Sequence, residues 1–194
     1  MKLAAIKKIV MNAKRCVIVN DKEGKQWIGD GRRFYAVDED IRFERETVLT
    51  VLDVDKEKRA QIVVFQENSA DPRFTIYEKE DEERLTPHAA IMYLDELVLV
   101  FMTDQREVFA VEHSAVKPIG FGREYTLRRR EANGEELRPA IAVKVDMFTC
   151  ALLEPMDAKI AKAIQNQAAI IGSGGVMTYG SDEEELVGES EKSE

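Results

Sequence analysis

The sequence predicts an α+β protein built mainly from antiparallel sheet, and three observations carry that reading. Apolar residues recur at helical spacing near both ends of the chain. Between them lie short apolar runs of strand length. Turn chemistry such as Asp21-Lys-Glu-Gly24 and Gly29-Asp-Gly31 breaks those runs into meanders.

The first helix is expected over Lys2 to Arg15, where Leu3, Ile6, Ile9, Val10 and Ala13 fall on one face at about 100° per residue. Its opposite face would carry Lys8 and Arg15, with Lys7 and Lys14 beside them. Short strands follow at Cys16 to Asn20, Gln26 to Gly29 and Arg33 to Val37. Thr47 to Val54 fits either a strand or a helix, Asp55 to Ala60 is charged, and Ile62-Val-Val-Phe65 reads as a strand. Gln66 to His88 is polar and predicts a long surface loop with one short strand at Phe74 to Tyr77.

The second half continues with strands at Ala89 to Leu94, Leu97 to Met102 and Glu107 to Val111, then a short helical turn within His113 to Ile119. Tyr125 to Arg130 and Ala140 to Val145 flank Asn133-Gly134, a hairpin signal, and Met147 to Leu153 completes the meander before Pro155. Asp157 can cap a last helix in which Ile160, Ile164, Ala168 and Ile171 share a face. These elements divide the chain into an α+β domain over 1–155, a C-terminal helix over 156–172 and a disordered acidic tail over 173–194.

The chain has 194 residues, 44% hydrophobic and 34% charged, enough for one core without metal or disulfide staples. No apolar run approaches the length of a membrane span, and the lysine-containing N-terminus does not read as a secretory signal, so a cytoplasmic protein with no membrane partner is expected. Cys16 and Cys150 each sit in an apolar stretch and read as buried, reduced thiols. The net charge of −9 is unevenly spread: Asp182 to Glu194 holds seven acids against Lys192, whereas Met1 to Val37 is rich in Lys and Arg.

No motif of catalysis, metal binding or phosphate cradling is present, so no enzyme activity, metal or cofactor is expected. A Cys150 nucleophile with His113 as base would make a cryptic hydrolase, but an apolar strand is a poor setting for a reactive thiol. The candidate binding residues are cations: Lys7, Lys8, Lys14 and Arg15 of the first helix, and Arg32 and Arg33 of the string Trp27-Ile-Gly-Asp-Gly-Arg-Arg-Phe-Tyr35. Together they would contact the phosphates of double-stranded DNA without reading bases. The blander alternative is a solvated helical face and a β-turn whose glycines take positive φ while Trp27, Phe34 and Tyr35 pack the sheet.

Three strings, Met1-Lys-Leu-Ala-Ala-Ile-Lys-Lys-Ile-Val10, Gln26-Trp-Ile-Gly-Asp-Gly31 and Arg106-Glu-Val-Phe-Ala-Val-Glu-His-Ser-Ala-Val-Lys-Pro-Ile119, resemble a protein family of phages and prophages of Gram-positive bacteria. That resemblance implies a phage-related setting and no particular activity. Leu97-Val-Leu-Val-Phe-Met-Thr-Asp-Gln-Arg106, the Gly-Asp-Gly string and the order of elements from Ser114 to Pro155 are similar to a DNA polymerase sliding-clamp domain. The likeness implies two pseudo-repeats, each a helix plus a meander, and a non-enzymatic accessory role in replication beside DNA and a phage or host replication protein, with a homo-oligomer compatible. The alternative is a protein-interaction module that binds a host or phage partner through a sheet groove or the acidic tail, without DNA.

Overall fold

The computed structural model describes residues 2–80, 82–120 and 122–171, and the acidic tail lies outside them. Helix α1 (Leu3–Ala13) leads into a meander of β1 (Arg15–Asn20), β2 (Gln26–Gly29) and β3 (Arg33–Ala36). Two single turns, α2 (Val48–Val51) and α3 (Lys56–Arg59), precede β4 (Val63–Asn68). The two-residue β5 (Glu83–Arg84) is followed by a second meander, β6 (Thr86–Tyr93), β7 (Glu96–Met102) and β8 (Val108–Glu112), and a 3-10 turn (His113–Ala115). A third meander then runs through β9 (Arg123–Arg128), the small hairpin of β10 (Glu131–Ala132) and β11 (Glu135–Glu136), β12 (Ala140–Val145) and β13 (Phe148–Leu153), before α4 (Ala158–Ile171).

The first and third meanders join through β3 and β13 into an eight-stranded sheet of order β4-β1-β2-β3-β13-β12-β9-β5. Every pairing in it is antiparallel except that of β1 with β4. Strands β6, β7 and β8 form a separate antiparallel sheet. The α+β class and the mainly antiparallel pairing therefore hold, as does the C-terminal helix.

Both faces of the large sheet are covered, which is why β1 is a continuous apolar run. Cys16 and Ile18 face the main core, where Ile6, Ile9 and Val10 of α1, Phe43, Val48 and Leu52, and Leu99, Phe101 and Val111 of the small sheet converge. Val17 and Val19 face the other way and, with Trp27, Ala142 and Leu152, lie under Phe74 and Ile76. Each such fully buried side chain contributes about 1.5–3 kcal/mol. Val98, Val100 and Ala110 on the outer face of the small sheet pack against Ala161 and Ile164 of α4.

Three local expectations change. The segment expected as a surface loop with a strand at Phe74 to Tyr77 contains no strand there; it is a strap across the second face of the large sheet. The physical reason is that carbonyls at Arg73, Thr75 and Tyr77 accept hydrogen bonds from the buried Arg128 guanidinium, at 2.8, 2.8 and 3.3 Å, instead of joining a ladder. In α4, Asp157 does cap the helix, its Oδ1 accepting from the Lys159 N–H at 2.8 Å. The inward face is nevertheless set by Ala161 and Ile164, and Ile160 is exposed. The side chains of Ala168 and Ile171 lie outside the described residues. Finally, Gly29 does not have positive φ, whereas Gly31 does, at +98°. Gly29 is required by close approach, since a Cβ there would stand 1.7 Å from the Arg33 carbonyl oxygen.

Candidate nucleic-acid interface

Helix α1 ends at Ala13, two residues before the expected Arg15. Lys14 takes the left-handed conformation, φ 52°, and its N–H closes on the carbonyls of Met11 and Val10. The chain leaves the helix there, so Arg15 is the first residue of β1 rather than a helical neighbour of Lys8. Lys8, Lys14 and Arg15 remain exposed, and six helical steps of about 1.5 Å separate Lys8 from Lys14, about 9 Å along the axis.

Strand pairing then brings the second cationic string to the same corner. Val17 of β1 stands opposite Gly29 of β2, so the β2–β3 turn lies beside the start of β1. The Arg15 guanidinium is 3.2 Å from where a Cβ on Gly31 would sit, and its Cζ lies 5.0 Å over the Phe65 ring. The absent side chain at Gly31 makes room for Arg15, and the exposed Arg32 follows directly.

The other two predicted cations are committed to structure. Lys7 Nζ donates to the Asp53 carbonyl and stands 3.3 Å from its Oδ2, tying α1 to the end of α2. Arg33, about one-fifth exposed, pairs with Asp30 Oδ2 at 3.2 Å and with Glu112 Oε2 at 2.9 Å, which joins β3 to the end of β8. The geometry thus groups Lys14, Arg15 and Arg32, leaves Lys8 nearby on α1 and removes Lys7 and Arg33 from the surface set.

Arg32 also borders a cleft of about 180 Å³ whose apolar lining includes Phe34, Phe74, Pro139 and Leu152. On its rim Glu154 accepts from Arg32 Nε at 3.2 Å and from an Arg138 terminal nitrogen at 3.1 Å. Arg73 grips Asp71 through Nε and a terminal nitrogen and donates to the Arg138 carbonyl at 3.1 Å. Three arginines against two carboxylates leave this rim net positive. Sequence inspection missed Arg73 and Arg138, which stand 65 residues apart and meet only because the strap crosses the sheet.

A second cluster escaped sequence reading altogether. Arg128 and Glu82 have fully buried side chains; Arg128 Nε donates to Glu82 Oε1 at 2.8 Å and a terminal nitrogen to Thr149 Oγ1 at 2.9 Å. Thr126 Oγ1 donates to Glu82 Oε2 at 2.8 Å, and Arg130 donates to Glu82 as well. Burial pulls the Arg128 guanidinium below its usual range, and the Glu82 carboxylate opposes that shift. Every charge in this cluster is occupied by holding the strap down.

Of the thiols, Cys16 is fully buried and Cys150 half-buried; both are free. Burial pushes both up, Cys16 to about 12, away from the lowered pKa that a nucleophilic thiol requires. Among the described residues no group of three or more His, Cys, Asp or Glu side chains is placed to hold a metal ion, and no helix is long and apolar enough to cross a membrane. Comparison of the chain with protein-family models, curated proteins and solved structures finds no match.

Proposed function

We propose that this chain is a non-enzymatic, phage-related accessory protein of the cytoplasm that associates with DNA through its phosphate backbone. The observation that carries the reading is the corner where Lys14 and Arg15 at the entry of β1 meet the Gly31-Arg32 turn, with Lys8 exposed nearby. Lys8 and Lys14 have no carboxylate partner among the described residues, and Arg15 is held in place by Phe65 rather than by an acid. Cations so placed add affinity by counterion release and carry no base specificity.

A replication-accessory, sliding-clamp-like role draws support from the strand order, which is symmetrical about the β3–β13 pair. On one side stand α1 and β1-β2-β3, and on the other the 3-10 turn and β9-β12-β13, each flanked by an outer strand. On this reading the second helix has shrunk to three residues, and the outer strands differ, since β4 runs parallel to β1 and β5 antiparallel to β9.

The test is duplex binding measured against salt for the full chain and for a chain ending at Ile171. Changing Lys8, Lys14 and Arg32 to Glu is expected to weaken binding equally on all sequences and to flatten the salt dependence, about one unit of slope per lost contact. Tail removal is expected to strengthen binding by relieving competition from its seven acids. No binding by the shortened chain at low salt would defeat the DNA reading.

The cleft favours a second reading, a protein-interaction module without DNA. Its aromatic lining and arginine rim have the composition of a protein-docking groove. Under that reading, Phe74→Ala abolishes partner capture while duplex binding stays absent.

A further inference from the structure

Strand β4 ends the large sheet, and among the described residues no strand pairs with its outer side. In a parallel ladder alternate residues turn their backbone groups toward the neighbouring strand. The Val63 N–H donates to the Lys14 carbonyl at 3.1 Å and the Ser69 N–H to the Asn20 carbonyl at 2.8 Å, so Val63, Phe65 and Glu67 bond inward to β1. Val64, Gln66 and Asn68 therefore point their N–H and C=O groups out of the sheet. Edges are ordinarily blunted by shortness, proline, lysine or bulges. The opposite edge, β5, is two residues long, but β4 runs for six, Val-Val-Phe-Gln-Glu-Asn, with none of those devices. Val63 and Phe65 stand 56% and 44% exposed along it.

The geometry points to a second copy of this chain as the occupant: two β4 strands pair antiparallel about a two-fold axis at Gln66. In that register Val64 faces Asn68 of the partner subunit and Gln66 faces Gln66 of the partner subunit. Each facing pair exchanges two N–H···O bonds, so every outward backbone group of the strand is satisfied. An axis at Phe65 would instead call on Ile62, whose N–H is already donated to the Arg59 carbonyl at 3.1 Å. Charge selects the same register. On the outer face Phe65 comes opposite Glu67 of the partner subunit, beside the Arg15 guanidinium that lies over the Phe65 ring. Neither Arg15 nor Glu67 forms an ion pair with another described residue, and the axis supplies the match twice. Such a contact is isologous and closes on itself, so it gives a dimer rather than a fibre. The inference is independent of nucleic acid, and association is measured without it.

The experiment is sedimentation of the full chain from micromolar to submillimolar protein. Wild type is expected to show a monomer–dimer equilibrium. Gln66→Pro removes an outward N–H without touching the ladder to β1, and with it the side-chain oxygen that accepts from the Arg45 N–H at 3.0 Å. It is therefore expected to give monomers, whereas Gln66→Ala, which loses only the side-chain bond, is expected to keep the dimer. Arg15→Glu or Glu67→Arg alone is expected to weaken the dimer about tenfold, since each change turns two cross-strand attractions into repulsions. Combining Arg15→Glu with Glu67→Arg is expected to return the association to near wild type, a result that misfolding cannot mimic. The inference is overturned if wild type sediments as a 22.0 kDa monomer throughout, which would leave the edge for a strand of another protein. It is equally overturned by a dimer indifferent to Gln66→Pro, or by a double variant no better associated than the single ones.

Discussion

The Arg128 guanidinium donates to three carbonyls of the strap, at Arg73, Thr75 and Tyr77, while Glu82 at the strap's far end neutralises it. Burying this pair requires desolvating both charges, and the pair persists because almost every donor finds an acceptor. Arg128→Met is expected to cost about 3–5 kcal/mol, because it leaves Glu82 buried with less neutralisation and frees the strap carbonyls. Trp27, the chain's one tryptophan, reports the event: its ring is fully buried, meets Phe74 at 5.7 Å and donates from Nε1 to Asp21 at 3.0 Å. Urea unfolding followed by Trp27 emission is expected to show a red-shifted native baseline in the variant. An unshifted baseline with undiminished stability would mean that Phe74 and Ile76 hold the strap without the charges. Adding Glu82→Gln to Arg128→Met is expected to recover part of the loss, since the orphaned carboxylate is then neutral.

Among the elements, α4 is the most separable. Its described contacts are with the outer face of the small sheet, through Ala161 and Ile164, and Met156 N–H donates to the Ala110 carbonyl at 2.8 Å just before it. A helix of 14 residues is marginal in isolation, so its order depends on that packing. Ile164→Asp buries a carboxylate against Val98 and Val100, and α4 is expected to undock and melt. The check is a loss of far-UV helical signal with Trp27 emission unchanged, because Trp27 lies on the far face of the other sheet. The exit of α1 teaches a related lesson. Periodicity placed Ile6, Ile9 and Val10 inward, and they are buried. It could not tell that Lys14 would adopt φ 52° and end the helix, because a non-glycine residue in that conformation has no sequence mark.

At the scale of the whole molecule, the alkaline limit of stability follows from two buried acids. Burial raises the Cys16 thiol from 9.0 to about 12, and it also raises the Tyr35 phenol, whose O–H donates to the Ala115 carbonyl at 2.7 Å. Between the unfolded and folded values of Cys16, the unfolded chain has lost a proton that the native state keeps. The contribution of Cys16 is therefore full below pH 9 and is lost as pH rises through 9 to 12, and Tyr35 continues the trend. Thermal midpoints taken across that range are expected to decline, and Cys16→Ala is expected to make the decline shallower while lowering stability at neutral pH. A decline of unchanged steepness in Cys16→Ala would place the alkaline transition elsewhere. Asp55, held below the ordinary carboxylate range by the hydrogen bond from Lys58, acts in the opposite sense at acid pH.

The sequence by itself determined the elements whose apolar period and turn chemistry agree. These are α1, the hairpin of β1 with β2 around Asp21 to Gly24, the β12–β13 pair, the Asn133-Gly134 turn with φ of 55° and 80°, and the Asp157 cap. Those signals are local and need only neighbours along the chain. The tertiary structure alone decided which cations are spent and which are free. Lys7 looked no different from Lys8 and Lys14, and Arg33 no different from Arg15, until Asp53 and Glu112 were brought to them from 46 and 79 residues away. It also decided that the polar stretch before β5 would be a strap, because its carbonyls find their donor in Arg128, more than 50 residues along the chain. An ion pair or a backbone bond to a distant side chain depends on proximity that only folding creates, and no periodicity in one segment encodes the partner in another.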